Sequence, residues 1–131
     1  MGSSKRWTGI VCEDDALIRM LMVDALDAAD LDIIETDSYQ STIDAIENRE
    51  VDLLVTDIRL AGDLTGLDLA HWVNVNRPDV RILVVSGMPA SIMDSSRPEH
   101  YTFLSKPFTS TTLLTAAKHL LDSDAALRSF H

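Results

Sequence analysis

Five short apolar runs, separated by amphipathic stretches, constrain the fold of this chain more than any other feature. The runs cover residues 8–12, 31–35, 51–56, 80–86 and 101–105. Between and after them, apolar residues recur at helical spacing, at 16–29, 38–49, 67–76 and 110–122. Strands that alternate with helices in this way predict a parallel β-sheet covered by helices on both faces, and right-handed crossovers leave few topologies.

The runs differ in polarity, which predicts their places in the sheet. The second run is the most polar and is expected at an edge, whereas the fourth is the most apolar and is expected inside. Only residues 88–100, between the last two runs, read poorly as a helix, because serine and aspartate compete with the helical backbone there. We therefore expect a short, mobile fourth helix in that segment.

Polar residues before the helical stretches predict where the helices begin. Asp15 is the expected N-cap of the first helix, Ser38 or Ser41 of the second, and Ser110 of the last. In the first helix, five apolar residues at helical spacing are expected to face the sheet. They are Leu17, Met20, Leu21, Ala25 and Ala28.

Length and composition indicate one cytoplasmic domain. The chain has 131 residues, of which 46% are hydrophobic, and we expect a flexible leader at 1–7, a domain at 8–122 and a tail at 123–131. A net charge of −10 argues against direct binding to nucleic acid or to an anionic membrane. The single cysteine, Cys12, lies in an apolar run and fits a buried core residue in a reducing compartment.

Charged and hydroxyl side chains stand where four of the strands should end. Glu13 and Asp14 follow the first run, Asp57 follows the third, Ser86 ends the fourth, and Lys106 follows the fifth. Parallel strands end on the same side of a sheet, and open α/β sheets bind their ligands there. We therefore expect these five side chains to lie close together.

These residue types suit a divalent cation and a phosphoryl group. The turn Glu13-Asp14-Asp15 offers carboxylates to a hard cation such as Mg²⁺, although a solvated acidic turn explains that segment alone equally well. Aspartate can form an acyl phosphate, and Ser86 and Lys106 can bind phosphoryl oxygens. No general base stands near Asp57 in the sequence, which favours an acceptor of phosphoryl groups over a fast hydrolase.

The ordered set of strand-end motifs resembles the receiver domains of two-component response regulators. The motifs are those at 11–15, 54–60, 84–87 and 103–108. The resemblance implies a flavodoxin-like (βα)5 fold, a doubly wound sheet of five parallel strands in the order 2-1-3-4-5 with helices on both faces. It also implies that the Lys106–Pro107 peptide bond is cis.

The resemblance further implies a role for each site residue. Asp57 would be the phosphoacceptor, charged by a histidine kinase or a histidine phosphotransfer protein. Mg²⁺ would be held by Asp14, Asp57, the backbone carbonyl of Arg59 and, through water, Glu13. Ser86 and Lys106 would bind the phosphoryl oxygens. Ser86 and Phe103 would then move as a switch that changes the face presented to a downstream protein target.

Other functions and arrangements stay open on the sequence alone. A Mg²⁺-dependent phosphohydrolase that uses Asp57 would usually carry a second aspartate two residues later, where this chain has Arg59. A phosphorylation-independent binding module would not need the complete set of site residues. We expect a monomer or weak dimer, acting either alone or as part of a longer protein such as a hybrid kinase.

Overall fold

The fold is a sheet of five parallel strands. A computed structural model describes the backbone of residues 6–87 and 101–129, and the side chains as far as residue 122. The strands are β1 (Trp7–Cys12), β2 (Leu31–Thr36), β3 (Leu53–Asp57), β4 (Arg81–Ser86) and β5 (Thr102–Ser105). They pair in the order β2-β1-β3-β4-β5, which confirms the expected topology. The polar second run is an edge strand, and the apolar fourth run lies inside the sheet.

Four α-helices cover the sheet within the described part of the chain. They are α1 (Ala16–Leu26), α2 (Tyr39–Asn48), α3 (Gly66–Asn76) and α4 (Ser110–Ser129), and a 3-10 turn (Asp27–Ala29) follows α1. Helices α2 and α3 pack on one face of the sheet, and α1 and α4 on the other. None of the described helices has the length and apolar character needed to span a membrane. The helix expected at 88–100 lies outside the described residues.

Two separate cores result because side chains alternate across each strand. On β3, Leu54 belongs to the core beneath α2 and α3, whereas Leu53 and Val55 belong to the core beneath α1 and α4. All three residues are fully buried. Burial on both faces is the reason that this strand reads as a continuous apolar run.

The side chains that begin the helices are partly those expected. Asp15 caps α1 by accepting hydrogen bonds from the amides of Leu17 and Ile18. Of the two serines considered for α2, Ser38 is the N-cap. Its hydroxyl accepts from the Ser41 amide, and the Ser41 hydroxyl accepts from the Ser38 amide. The expectation for the last helix was wrong: Thr109, not Ser110, caps α4, because its hydroxyl accepts from the Thr112 amide at 3.0 Å.

The expected inner face of α1 was correct only at Ala25, which is buried. Leu17, Met20 and Leu21 are more than half exposed. Ala28 is exposed too and belongs to the 3-10 turn, since α1 ends at Leu26. The residues that α1 buries are Met22, Ala25 and Leu26. The helix carries apolar side chains nearly all round, so helical spacing admits more than one inner face, and only packing on the sheet and α4 selects between them.

Element boundaries differ from expectation mainly at the end of the chain. Helix α4 continues to Ser129, beyond the expected end near residue 122. The sequence there contains alanines and a leucine, which are strong helix formers. Strand β1 begins one residue earlier than expected, at Trp7, and β3 includes Asp57 as its last residue. Cys12 is a buried free thiol, as expected.

Candidate functional site

The strand ends bring the expected site residues to one side of the sheet. Glu13 directly follows β1, Asp57 ends β3, Ser86 ends β4, and Lys106 directly follows β5. Pairing of β4 with β5 extends beyond the strands, because the amide of Lys106 donates to the carbonyl of Ser86 at 2.7 Å. The parallel register therefore positions these four side chains together before any of them makes a contact of its own.

Three of them form a compact charged group. The Lys106 ammonium contacts the Asp57 carboxylate directly, and its Nζ lies 3.4 Å from Oε1 of Glu13. The remaining carboxylate oxygens accept backbone hydrogen bonds: Asp57 Oδ1 from the Arg59 amide at 3.0 Å, and Glu13 Oε2 from the Asp15 amide at 3.1 Å. Both carboxyl groups are buried, so the lysine and these amides compensate much of the cost of removing them from water.

The two buried carboxyl groups are driven to different charge states. Burial, reinforced by the hydrogen bond with Asp57, raises the pKa of Glu13 to about 7. Burial alone would also raise the pKa of Asp57, but hydrogen bonds from Lys106, Glu13 and the Arg59 amide outweigh it and lower that pKa. Burial opposes the charge of Lys106, yet its bond to Asp57 gives a net rise in the lysine pKa. Asp57 is therefore ionised at neutral pH, whereas Glu13 titrates there.

The other expected residues lie around this group without completing it. Ser86 is buried, whereas the side chains of Asp14 and Arg59 are exposed beside the site. Phe103 is half-buried and packs against the core beneath α2 and α3. The Lys106–Pro107 peptide is cis, as the resemblance implied.

The donor set fits a hard divalent cation, although the carboxylates are not gathered into a finished metal site. Among the described residues, no three histidine, cysteine, aspartate or glutamate side chains form a cluster that could hold a metal ion. The contacts that exist are nevertheless oxygen-rich. After burial, the neighbouring Asp57 carboxylate is a further cause of the raised pKa of Glu13, so the two carboxyl groups repel each other when both are ionised. A second cation at this point would lower that repulsion.

Gly66 is one residue beside the site whose part the sequence reasoning missed. A Cβ atom there would overlap the carbonyl oxygen of Asp57 and lie 2.8 Å from its carbonyl carbon. The Gly66 amide also donates to the carbonyl of Ile58 at 2.7 Å, so α3 begins directly against the backbone of the strand end. The sequence marks a turn glycine, but only the folded chain shows what it touches.

Arg19 is the second residue that was missed. Its NH1 donates to the carbonyl oxygen of Glu13 at 2.7 Å, and its Nε donates to Glu35 at 3.2 Å. A signal existed, because Arg19 is the one basic residue of α1 and lies a single helical turn after the acidic turn. Its partners could not be read from the sequence.

Comparison with known proteins agrees with the geometry. Residues 10–118 match the family model of the response regulator receiver domain. The response regulator receiver protein CpdR of Brucella abortus (strain 2308) is 29% identical over 86% of this chain and 94% of its own length. The transcriptional regulator NtrC of Rhizobium meliloti (strain 1021) is 32% identical over 82% of this chain but 22% of its own.

A solved structure adds the same result in three dimensions. The response regulator receiver protein of Sinorhizobium medicae WSM419 superposes with a TM-score of 0.83 and 26% identity, over 92% of this chain and 98% of that one. The chain thus spans nearly all of some relatives and about a quarter or less of the longer regulators. Domains of the matched family are generally signalling modules and not enzymes. From the family match, the fold and the strand-end residues together, the chain belongs to the response regulator receiver family of two-component signalling systems.

Proposed function

We propose that Asp57 accepts a phosphoryl group from a phosphohistidine on a histidine kinase or a histidine phosphotransfer protein. The observation that carries this proposal is the state of Asp57: it is buried at the end of β3, and its neighbours hold its pKa below the ordinary value. An ionised carboxylate in a mostly dry site is the form that acts as a nucleophile. The family of the chain supports the same role.

The transfer uses the contact between Asp57 and Lys106 that the structure already contains. A carboxylate oxygen of Asp57 attacks phosphorus while the bond from phosphorus to the imidazole nitrogen breaks, and that nitrogen keeps the electron pair. The product is an acyl phosphate on Asp57. The Lys106 ammonium, now against the carboxylate, and the Ser86 hydroxyl bind the phosphoryl oxygens, since this chemistry depends on positioning and charge neutralisation.

Mg²⁺ is the cation that this site would take. Glu13, Asp14, Asp57 and the backbone carbonyl of Arg59 would hold it, with Glu13 acting through water. When bound, the ion supplies positive charge to the phosphoryl oxygens. Support comes from the charge balance of the site, where two buried carboxyl groups share one lysine.

The output is a changed protein surface. Ser86 and Phe103 would move on phosphorylation and alter the face offered to a downstream protein. The net charge of −10 favours protein partners over nucleic acid or membranes, and we propose a cytoplasmic monomer or weak dimer. Gel filtration with and without beryllofluoride tests the oligomeric state. Elution as a stable dimer in the absence of beryllofluoride would contradict a monomer or weak dimer.

Intact-mass measurement after incubation with acetyl phosphate tests the acceptor. We expect one phosphoryl group on the wild type in Mg²⁺, none in EDTA and none on Asp57→Asn. Asp63→Asn is the matched control, because Asp63 is an exposed acid in the loop after β3, and it should be modified normally. If the wild type is not phosphorylated and does not bind beryllofluoride, the chain is instead a constitutive binding module. Steady turnover of a small phosphate ester by catalytic amounts of protein would indicate a hydrolase.

A further inference from the structure

Arg19 joins the carboxyl ends of two neighbouring strands beside the proposed cation site. Its guanidinium reaches from α1 to the carbonyl oxygen of Glu13 at 2.7 Å, after β1, and to the carboxylate of Glu35 at 3.2 Å, on β2. The side chain is 21% exposed, so these bonds are partly shielded from water. A charge-assisted bond to a backbone carbonyl at this distance is among the stronger kinds in proteins.

These bonds hold the peptide that links the two acidic residues of the turn. The Glu13 amide donates to the carbonyl of Thr36 at 3.0 Å, and Arg19 donates to the Glu13 carbonyl. The carbonyl belongs to the peptide unit shared with Asp14, so its plane is set from outside the turn. The Asp14 side chain is exposed, and nothing described there holds it as closely as Lys106 holds Asp57.

The bridge needs the shape of a guanidinium. One planar fork makes both bonds through Nε and NH1, which diverge at a fixed angle. A lysine ammonium offers a point charge without that rigid geometry and would satisfy the two acceptors less well.

We propose that Arg19 is a positioning residue for cation binding: it fixes the Glu13–Asp14 peptide so that the carboxylates on either side of it can bind one ion together. This inference rests on the proposed Mg²⁺ site. Residues that orient the groups directly bound to a metal commonly change metal affinity ten-fold or more when replaced. Arg19 would affect Mg²⁺ affinity through its bond to the backbone of the turn, without contacting the ion itself.

The sign of the effect separates positioning from simple electrostatics. Arg19 is positively charged and lies close to the site, so its charge repels Mg²⁺. If charge alone mattered, removing Arg19 would strengthen Mg²⁺ binding. If positioning dominates, removing it weakens binding despite the lost repulsion.

Arg6 provides a matched control on the same two strands. At their opposite end, Arg6 donates to the carbonyl of Leu31 at 3.1 Å and pairs with Asp32 at 3.2 Å. Like Arg19, it ties one backbone carbonyl and a β2 carboxylate, but it lies far from the carboxyl ends of the strands. Arg6→Gln therefore reproduces the loss of strand bridging without disturbing the acidic turn.

The experiment is a titration of the intact chain with Mg²⁺ alone, followed by amide chemical shifts in NMR spectra. It is performed well below the melting temperature of each variant. We expect Arg19→Gln to weaken binding on the order of ten-fold, Arg19→Lys to weaken it less, and Arg6→Gln to bind within two-fold of wild type. Amide hydrogen exchange at Asp14 and Asp15 should be faster in Arg19→Gln only.

Each other outcome has a definite meaning. Unchanged or tighter Mg²⁺ binding by Arg19→Gln overturns the positioning role and leaves the proposed function intact. Equal weakening by Arg6→Gln and Arg19→Gln shows a general loss of sheet stability and overturns it as well. A wild type that binds no Mg²⁺ refutes the proposed cation site itself.

Discussion

Replacing Glu13 by glutamine should stabilise the cation-free protein at alkaline pH. Glu13 is 2% exposed, and its pKa lies near 7 rather than the ordinary 4.5. A carboxyl group with a raised folded pKa contributes stability that is complete below the unfolded value and is lost as pH rises through the folded value. A difference of this size corresponds to about 3 kcal/mol at high pH.

Glutamine resembles the protonated carboxyl group, because its NH2 group can donate to Asp57 while its oxygen accepts from Lys106. The NH2 group cannot accept from the Asp15 amide as Oε2 of Glu13 does, and that loss is the same at every pH. The variant should therefore retain the stability that the wild type loses. We expect the difference in the free energy of unfolding to shift in favour of Glu13→Gln as the pH rises from 5 to 8. Over that window the advantage of Glu13→Gln should grow by about 2–3 kcal/mol.

Urea unfolding in EDTA, followed by tryptophan fluorescence at pH 5, 6, 7 and 8, measures this advantage. Glu47→Gln is the control, since Glu47 is an exposed glutamate on α2 and the same substitution is made there away from the buried carboxyl groups. Taking the difference between variant and wild type cancels the groups that Glu13 does not contact. Its two charged neighbours do not titrate in this window, because the pKa of Asp57 is lowered and that of Lys106 is raised. An advantage for Glu13→Gln that stays flat from pH 5 to pH 8 would refute the raised pKa and the charge assignment built on it.

Three further predictions concern the surroundings of the site. Gly66→Ala should cost about 3 kcal/mol in urea unfolding, because the added Cβ overlaps the backbone of Asp57, whereas Gly9→Ala meets only ordinary contacts at 3.6 Å and should cost far less. Ser38→Ala should cost about 1 kcal/mol by removing the α2 cap, and a change below 0.3 kcal/mol in the same assay would contradict that role. The rise in melting temperature produced by Mg²⁺ should be larger at pH 8 than at pH 5.5, since the proton on Glu13 competes with the cation below about pH 7, and an equal rise at both values would count against Glu13 as a ligand.

The fold could be predicted because its signals are local. Each strand of the sheet lies within two residues of the bounds of one of the five runs. The inner face of α1 could not be read in the same way. Helical spacing fits two sets of residues equally well: the exposed Leu17, Met20 and Leu21, and the buried Met22 and Leu26. The choice between these faces depends on packing against α4, about ninety residues later in the chain.

The residues of the site could also be predicted from the sequence, but their charge states could not. Parallel strands place Glu13, Asp57 and Lys106 together whatever their contacts, so topology alone assembles the group. Which carboxyl group holds a proton depends on distances of a few ångströms between residues 93 positions apart in the chain. The same limit hid Arg19 and Gly66, because both act on backbone atoms that have no residue-type signature.

The charges on β2 have a consequence for how molecules of this chain meet each other. β2 ends the sheet on one side, and its unpaired backbone groups could in principle add a strand from another molecule. Its exposed side chains Asp32 and Glu35 carry charge. Asp32 pairs with Arg6, which directly precedes β1, and Glu35 pairs with Arg19 of α1. A second copy that approached along β2 would have to break these pairs or face them with its own acids. Intermolecular strand addition, the usual start of sheet aggregation, is therefore disfavoured along this flank of the protein.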